Sequence, residues 1–319
     1  MKTLHNASRT SGRRLYREIW KVVGDTFFDD DRLKEADWAG KENLYDARIV
    51  DDESALACAA EALACLGDKY THLMPAAEYR QHIAERDETE ESAVFSRILP
   101  GNIGYLRIET FFRSDIFEQI TAEVEKLKEC VAIIIDLRDN GGGLLDKTGN
   151  CLEYFVQSGT VAGFVRRTPE GLFEKAFGCN DEAFISIVEV AGEQHEPVFY
   201  MRRPALLADK PTVVLINGGT GSSAEVFASA VVENGRENGR CIAMGMETAG
   251  KGIAQTTVNI FEGKARLQIS VGKFLNAKLE WLGDHGQRVR NGIKPDVEVS
   301  DADFKTALSA AYEHLKGCL

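Results

Sequence analysis

Two unbroken apolar runs constrain the fold of this chain more than any other feature. Residues 131–137 read VAIIIDL and residues 212–217 read TVVLIN. Neither run alternates apolar with polar residues, so we expect both faces of each strand to be buried. Strands of this kind belong to sheets that are covered by helices. The sequence therefore predicts an α/β core.

Other segments extend this pattern. We expect further strands at 103–109, 241–245 and 266–271, and helices at 116–128, 222–234 and 303–316. Upstream, residues 12–24 and 53–66 read as helices, and the acidic stretch 84–92 reads as a linker or exposed turn. The doubled ENGR at 233–240 is expected to form a loop after a helix. The chain is thus predicted to have a helical region at 1–90 and an α/β core at 91–319.

Composition limits the partners of this chain. The formal net charge is -12, which argues against nucleic acid, because phosphate binding needs clustered Lys and Arg. No segment has the roughly 20 apolar residues that span a bilayer. No export signal is visible, so we expect a cytoplasmic protein, or an extracytoplasmic one if a signal was removed. Seven scattered Cys without a CxxC pair fit reduced thiols, and no zinc or calcium motif predicts a metal site.

Three glycine-rich turns each follow a predicted buried strand. They read DLRDNGGG at 136–143, NGGTGSSAE at 217–225 and GMETAGKG at 245–252. Glycine lets the backbone turn sharply and lets N–H groups approach a ligand, so three such turns suggest one shared site. The third turn is close to a phosphate-binding loop. However, Gly252 stands where that loop needs Ser or Thr, and the residues that follow favour a strand, so nucleotide binding is disfavoured.

The second turn offers a nucleophile. Ser222 precedes a helix, where unpaired backbone N–H groups and the helix dipole can stabilise an oxyanion. The alternative is that Ser222 only caps the helix. No His lies in or beside the three turns, so the candidate base is Lys251, whose flanking glycines and apolar neighbours would favour the neutral amine. The alternative for Lys251 is an ordinary surface charge.

Taken together, the turns resemble those of the S41 peptidases, the carboxyl-terminal processing or tail-specific proteases. The likeness rests on the three turns, on LGDKYT at 66–71 and on GIKPDVEV at 292–299. It covers roughly residues 45–80 and 95–300. The fold that it implies is a crotonase-like or ClpP-like spiral of strands and helices that forms the catalytic core behind the helical N-terminal region.

The resemblance also implies roles for individual residues. Ser222 would be the nucleophile and Lys251 its general base, with Gln255 orienting the lysine. The backbone N–H of Ser223, with that of Gly141 or Gly142, would form the oxyanion hole. Two further residues would support the site, namely Glu225 and Thr248. The implied reaction is peptide-bond hydrolysis through an acyl-enzyme, on an extended or carboxyl-terminal peptide segment and without a metal or organic cofactor.

The sequence departs from the family pattern between Pro75 and the strand at 103. Relatives usually carry a PDZ domain there, and the 27 residues 76–102 leave no room for one. A homo-oligomer or an adaptor would then take the place of the PDZ domain. His72 lies two residues from a position that is catalytic in another branch of the family, and we interpret it as structural.

Two other functions stay open at this stage. The same fold serves acyl-CoA chemistry, so the site could cleave esters or acyl-CoA instead of peptides. The chain could also be a non-catalytic scaffold that binds peptides.

Overall fold

The computed structural model describes residues 2–75, 78–81, 84, 91–236, 239–284, 289–300 and 304–319, with backbone only for residues 2–7. The chain forms two compact units. The first combines Met1–His82 with Arg166–Phe173 and Ala254–Gly272. The second combines Ile83–Val165, Glu174–Ile253 and Lys273–Leu319. Within the described residues, no helix is both long enough and apolar enough to cross a bilayer.

The second unit contains a sheet of six strands, which confirms the predicted α/β core. In spatial order they are β14 (Val297–Glu298), β11 (Cys241–Gly245), β10 (Thr212–Ile216), β4 (Ala132–Asp136), β3 (Ile103–Ile108) and β2 (Val94–Leu99). All neighbours pair in parallel except β2, which is antiparallel to β3. Every residue of β4 and β10 is buried, as their unbroken apolar runs predict.

Helices pack against this sheet. They are α4 (Ile116–Leu127), α6 (Ser223–Arg236) and α7 (Phe304–Cys318), whereas α5 (Leu145–Cys151) packs against α4 and α6. On α7, Ala307, Ala311 and Leu315 recur every four residues and lie fully buried in a cluster with side chains of β4 and β10. This spacing is the apolar stripe that a helix needs to pack on a sheet.

The parallel register places the three glycine-rich turns side by side. Asp136 at the end of β4 pairs with Leu215 of β10, and Ile216 at the end of β10 pairs with Gly245 of β11. Each turn starts where one of these strands ends. The three turns therefore share the carboxyl edge of the sheet, where open α/β sheets bind their ligands.

An antiparallel region follows α5, and the sequence pattern did not reveal most of it. Its strands are β5 (Gly159–Thr168), β6 (Gly171–Cys179), β7 (Ala183–Val190), β8 (Glu193–Gln194), β9 (Val198–Met201), β12 (Ile253–Ile260) and β13 (Ala265–Leu275). Of these, β13 was predicted as 266–271, and the residues of β12 were noted to favour a strand. β6 shows neither an unbroken apolar run nor strict alternation. β9 is a short apolar run whose four residues are all exposed.

The first unit is built on α1 (Lys2–Thr26), α2 (Asp30–Glu35), α3 (Asp52–Ala64) and β1 (His72–Leu73). Strand β1 pairs with residues 267–268 of β13. The LGDKYT motif at 66–71 has a structural role in this unit. The Asp68 carboxylate accepts a hydrogen bond from Thr71 Oγ1 at 2.7 Å, and that hydroxyl accepts one from the N–H of Ser270 at 3.1 Å.

Two further sequence predictions concern the doubled ENGR and the acidic stretch 84–92. The first ENGR copy, residues 233–236, is the last turn of α6 and not a loop, which corrects that expectation. A tertiary contact supports the longer helix, because the Asn234 amide donates to the carbonyl of Thr160 on β5 at 2.8 Å, in addition to the carbonyl of Ala230 in the same helix at 2.7 Å. Most of the predicted acidic linker, residues 85–90, lies outside the described residues.

Candidate active site

Ser222 lies at the point where the second turn enters α6. Its φ is +57°, a left-handed conformation that is uncommon for a residue with a side chain. Its carbonyl accepts hydrogen bonds from the N–H groups of Glu225 and Val226 at 2.9 and 3.2 Å, which closes the first helical turn. Within the described residues, the Ser222 hydroxyl makes no hydrogen bond, whereas a helix-capping serine would accept one from a backbone N–H. The hydroxyl therefore remains available to a ligand.

The carboxylate of Glu225 joins the second turn to the third. One oxygen, Oε2, accepts the N–H of Ser222 and the N–H of Lys251, each at 2.8 Å. The other, Oε1, accepts Thr248 Oγ1 at 2.5 Å and the N–H of Gly250 at 2.8 Å. Glu225 is fully buried, and this burial raises the pKa of its carboxyl, although the four donors oppose the shift. Because both N–H groups converge on one oxygen, the backbones of Ser222 and Lys251 lie close together.

The third turn is also held by the segment that contains GIKPDVEV. The N–H of Ile293 donates to Thr248 Oγ1 at 2.7 Å, and the N–H of Thr248 donates to the carbonyl of Ile293 at 3.1 Å. Further along, Asp296 accepts two hydrogen bonds from Arg236, at 2.7 and 2.8 Å, and one from the N–H of Ala243 at 2.8 Å. The aspartate of this segment therefore anchors it beside β11.

The first turn packs directly against the nucleophile turn at Gly142. A Cβ on this residue would lie 2.8 Å from Ser222 Cβ and 2.9 Å from the backbone nitrogen of Ser223. The φ of Gly142 is +97°, so both space and conformation require glycine. Its N–H donates to Asn140 Oδ1 at 2.9 Å, whereas Gly141 is exposed. Of the two glycines predicted for the oxyanion hole, Gly142 thus has its N–H already engaged.

Charged and polar side chains around the first turn hold it in place. Asp136 and Arg138 form a fully buried ion pair, with Arg138 Nε 2.9 Å from Oδ1 and Nη2 2.6 Å from Oδ2. Asn217 receives the N–H of Asp139 at 2.9 Å and donates to the Asp139 carboxylate at 2.9 Å. Sequence reasoning assigned no function to Asn140 or Asn217. The sequence feature that could have identified them is a polar residue within a glycine-rich turn at the end of a predicted strand.

Comparison with known proteins now decides the family. The profile of peptidase family S41 matches residues 102–299, which include all three turns. The chain belongs to peptidase family S41. Carboxy-terminal processing protease CtpA of Bacillus subtilis is 27% identical over 222 residues, which cover 69% of this chain and 40% of CtpA. The chain spans about two fifths of the length of the curated relatives that it matches.

Solved structures support the S41 fold. A photosystem II D1 C-terminal processing protease superposes with a TM-score of 0.68 at 16% identity, over 94% of this chain and 97% of that one. A lipoprotein from Streptococcus agalactiae superposes with a TM-score of 0.63 at 15% identity, over 97% of each chain. At these identities the likeness concerns the fold alone.

The remaining predicted residues lie as follows in this S41 chain. Gln255 is half-buried on β12, and its role stays a prediction. Ser223 is buried, and its hydroxyl has no hydrogen-bond partner among the described residues. His72 Nε2 lies 3.0 Å from Glu78 Oε1 in the first unit.

Proposed function

We propose that this protein is a serine peptidase in which Ser222 attacks the substrate and Lys251 is the general base. The observation that carries the proposal is the shared acceptor Glu225 Oε2, which receives the N–H of Ser222 and the N–H of Lys251, each at 2.8 Å. A nucleophile and its base must be held in one fixed geometry for proton transfer. A buried carboxylate bridging their two backbones supplies such a constraint.

The reaction then proceeds in two stages. Neutral Lys251 takes the Ser222 hydroxyl proton as Oγ attacks the carbonyl carbon, and the C=O π electrons move to the oxygen. When the C–N bond breaks, the Lys251 ammonium donates its proton to the leaving amine. Water then attacks the acyl-enzyme ester with the same lysine as base, which releases the acid and restores Ser222.

The N–H of Ser223 and the N–H of Gly141 are the donors proposed for the oxyanion. Gly142 is the weaker choice, because its N–H already donates to Asn140. Loss of one such donor typically costs about 10²–10³ in rate. Gln255 is proposed to orient Lys251. This assignment rests on the family resemblance, in which a glutamine four residues after the lysine has that role. The proposed substrate is an extended peptide segment.

Covalent labelling tests this proposal. Wild-type protein, Ser222→Ala and Lys251→Ala are treated with a fluorophosphonate and examined by intact mass, in parallel with cleavage of casein. We expect an adduct and cleavage with the wild type but with neither Ser222→Ala nor Lys251→Ala, both increasing from pH 7 to 10 because the base must be unprotonated. Ser223→Ala is the matched control, since it keeps the backbone N–H and should still be labelled at Ser222. An adduct in the Ser222→Ala protein would contradict the assignment.

The same experiment separates the other candidate functions. Labelling at Ser222 together with hydrolysis of nitrophenyl esters or acyl-CoA, but not of peptides, would indicate an acyl hydrolase. Absence of labelling across this pH range in a folded protein would favour the non-catalytic scaffold.

A further inference from the structure

A largely apolar pocket lies in the second unit, next to the elements that carry the candidate site. Its volume is about 770 Å³. One side is formed by Val226 in the first turn of α6 and by Leu145 at the start of α5. Val226 is four residues after Ser222 and donates its N–H to the Ser222 carbonyl. Leu145 follows the first glycine-rich turn by two residues. The pocket therefore borders the two helices that follow the first and second glycine-rich turns.

The other side of the pocket is a wall of antiparallel strands. Phe177 on β6, Phe184 on β7 and Tyr200 on β9 line it. Phe184 and Tyr200 are register partners in the β7–β9 pair, so their side chains lie side by side on one face. This apolar wall is suited to an apolar side chain of a ligand.

Five charged side chains line the pocket. Arg202, Arg203 and Glu153 interact with neighbouring groups, and a fourth residue is solvent-exposed. Arg202 donates to the carbonyls of Gln157, Asn180, Glu153 and Val156. Arg203 Nε lies 3.8 Å from Glu153 Oε1, and its Nη1 donates to Tyr154 Oη at 2.7 Å. Asp146 is exposed to solvent.

Lys175 is the fifth charged residue that lines the pocket. It is half-buried on β6, and its Nζ lies 4.3 Å from the centre of the Phe177 ring. No carboxylate lies within ion-pair distance of it in the part of the chain that the structure describes. Desolvation lowers the pKa of Lys175. An unpaired ammonium in an apolar pocket is a site that a bound anion would stabilise.

We propose that this pocket binds the carboxyl terminus of a peptide, with an apolar terminal side chain against the aromatic wall and the α-carboxylate on Lys175 Nζ. The inference rests on the proposed peptidase function, because it makes this peptide the substrate. It places carboxyl-terminal recognition inside the catalytic unit, beside the helix that begins directly after Ser222. Cleavage would then remove a short carboxyl-terminal segment.

A free strand edge favours a peptide over a simple apolar acid. β9 pairs with β7 on one side, and among the described residues no strand pairs with its other side. All four residues of β9 are exposed, including Phe199 at 63% and Met201 at 86%. An extended peptide can hydrogen-bond to such an edge, whereas a fatty acid has no backbone groups to offer.

A binding assay in the Ser222→Ala protein tests the pocket without requiring catalysis. The probes are a fluorescein-labelled unstructured decapeptide ending in Ala-Leu-Phe, with a free carboxylate or with a carboxamide. We expect the free acid to bind about 10- to 100-fold more tightly by fluorescence anisotropy, as a charge-assisted hydrogen bond implies. Adding Lys175→Met should bring this ratio to about 1 and leave the amide affinity within about twofold. Lys175→Arg should retain most of the preference.

Lys128→Met is the matched control, because it removes an exposed lysine at the C-cap of α4 whose Nζ lies 3.0 Å from Glu125 Oε2, and it should keep the full ratio. Unfolding curves confirm that each variant is folded. Equal affinity for acid and amide, a preference that survives Lys175→Met, or no binding of either peptide would overturn the inference. Binding of laurate in a Lys175-dependent manner without peptide binding would also overturn the peptide as occupant. Because this assay uses the Ser222→Ala protein, a failure of Ser222-dependent cleavage overturns only the proposed function.

Discussion

At the scale of single residues, Glu225 organises the candidate site. The family resemblance predicted a supporting role for it, but spacing could not show that one carboxylate accepts four donors from two turns. Such a contact joins residues 222 and 251 across a strand and a helix, so it depends on the tertiary fold. The sequence identified the participants, and only the structure supplied the way in which they are connected.

Glu225→Gln should lower the free energy of unfolding by about 2–4 kcal/mol at pH 7. The amide nitrogen would face N–H groups that need an acceptor, and each buried donor left unpaired costs about 1–3 kcal/mol. Urea denaturation provides the measurement, and the rate of fluorophosphonate labelling should fall with it. Glu233→Gln is the matched control, since that side chain is partly exposed on the same helix and pairs with Arg236 and Lys278. A loss no greater than in this control would contradict the assigned role.

Lys175 gives a pH-dependent prediction. Only the protonated amine attracts a carboxylate, so the preference for the free-acid peptide over the amide should be full at low pH and disappear as the pH rises through the pKa of Lys175. Desolvation lowers that pKa from the ordinary value of 10.5, so the loss should begin at a lower pH than for an exposed lysine. The groups that line the same pocket are Asp146, Glu153, Tyr200, Arg202 and Arg203.

Anisotropy titrations of the Ser222→Ala protein from pH 6 to 11 provide the measurement. Lys175→Arg is the control, because its guanidinium stays charged over this range and its preference should not change. The same decline in the Lys175→Arg protein would assign the titration to another group.

At the scale of elements, the sequence predicted what depends on local pattern. The bounds of β3, β4, β10 and β11 agree with the predicted strands to within one residue, because unbroken apolar runs identify strands buried on both faces. The strands β5 to β9 were missed. Strand β9 shows why, since its apolar residues VFYM are exposed on both faces and no rule based on burial would assign them.

Gly142→Ala tests the contact between the first two turns. The new Cβ would lie 2.7 Å from the carbonyl oxygen of Gly221 and 2.8 Å from Ser222 Cβ, at a φ of +97°. We expect a loss of about 2–4 kcal/mol in unfolding free energy and of nearly all fluorophosphonate labelling. Gly218→Ala is the control, since the nearest atom to its Cβ is 4.0 Å away and its stability should change by less than about 1 kcal/mol. Full labelling of Gly142→Ala would show that the turns are not packed this closely.

At the scale of the whole molecule, the chain does not divide at a single point along the sequence. The first unit includes Arg166–Phe173 and Ala254–Gly272 together with Met1–His82. Its hydrogen bonds include Phe28 N–H to the Ser270 carbonyl at 3.1 Å, and Phe261 N–H to Glu18 Oε1 at 2.8 Å. Hydrogen bonds between residues so far apart in the sequence cannot be predicted from a local sequence pattern. The predicted boundary at residue 90, and an oligomer or adaptor in place of a PDZ domain, stay predictions.

Deletion of residues 1–82 should therefore prevent the remainder from folding. Ile260, Leu267 and Ile269 are fully buried in the first unit, which owes most of its residues to the deleted segment. Without it these side chains would be exposed on β12 and β13, at a cost of about 1.5–3 kcal/mol each, and exposed apolar strands associate. We expect residues 83–319 alone to be insoluble or to lack a cooperative unfolding transition. Co-expression with residues 1–82 should restore soluble protein and labelling at Ser222, whereas cooperative unfolding of the 83–319 fragment on its own would show that the second unit is an independent domain.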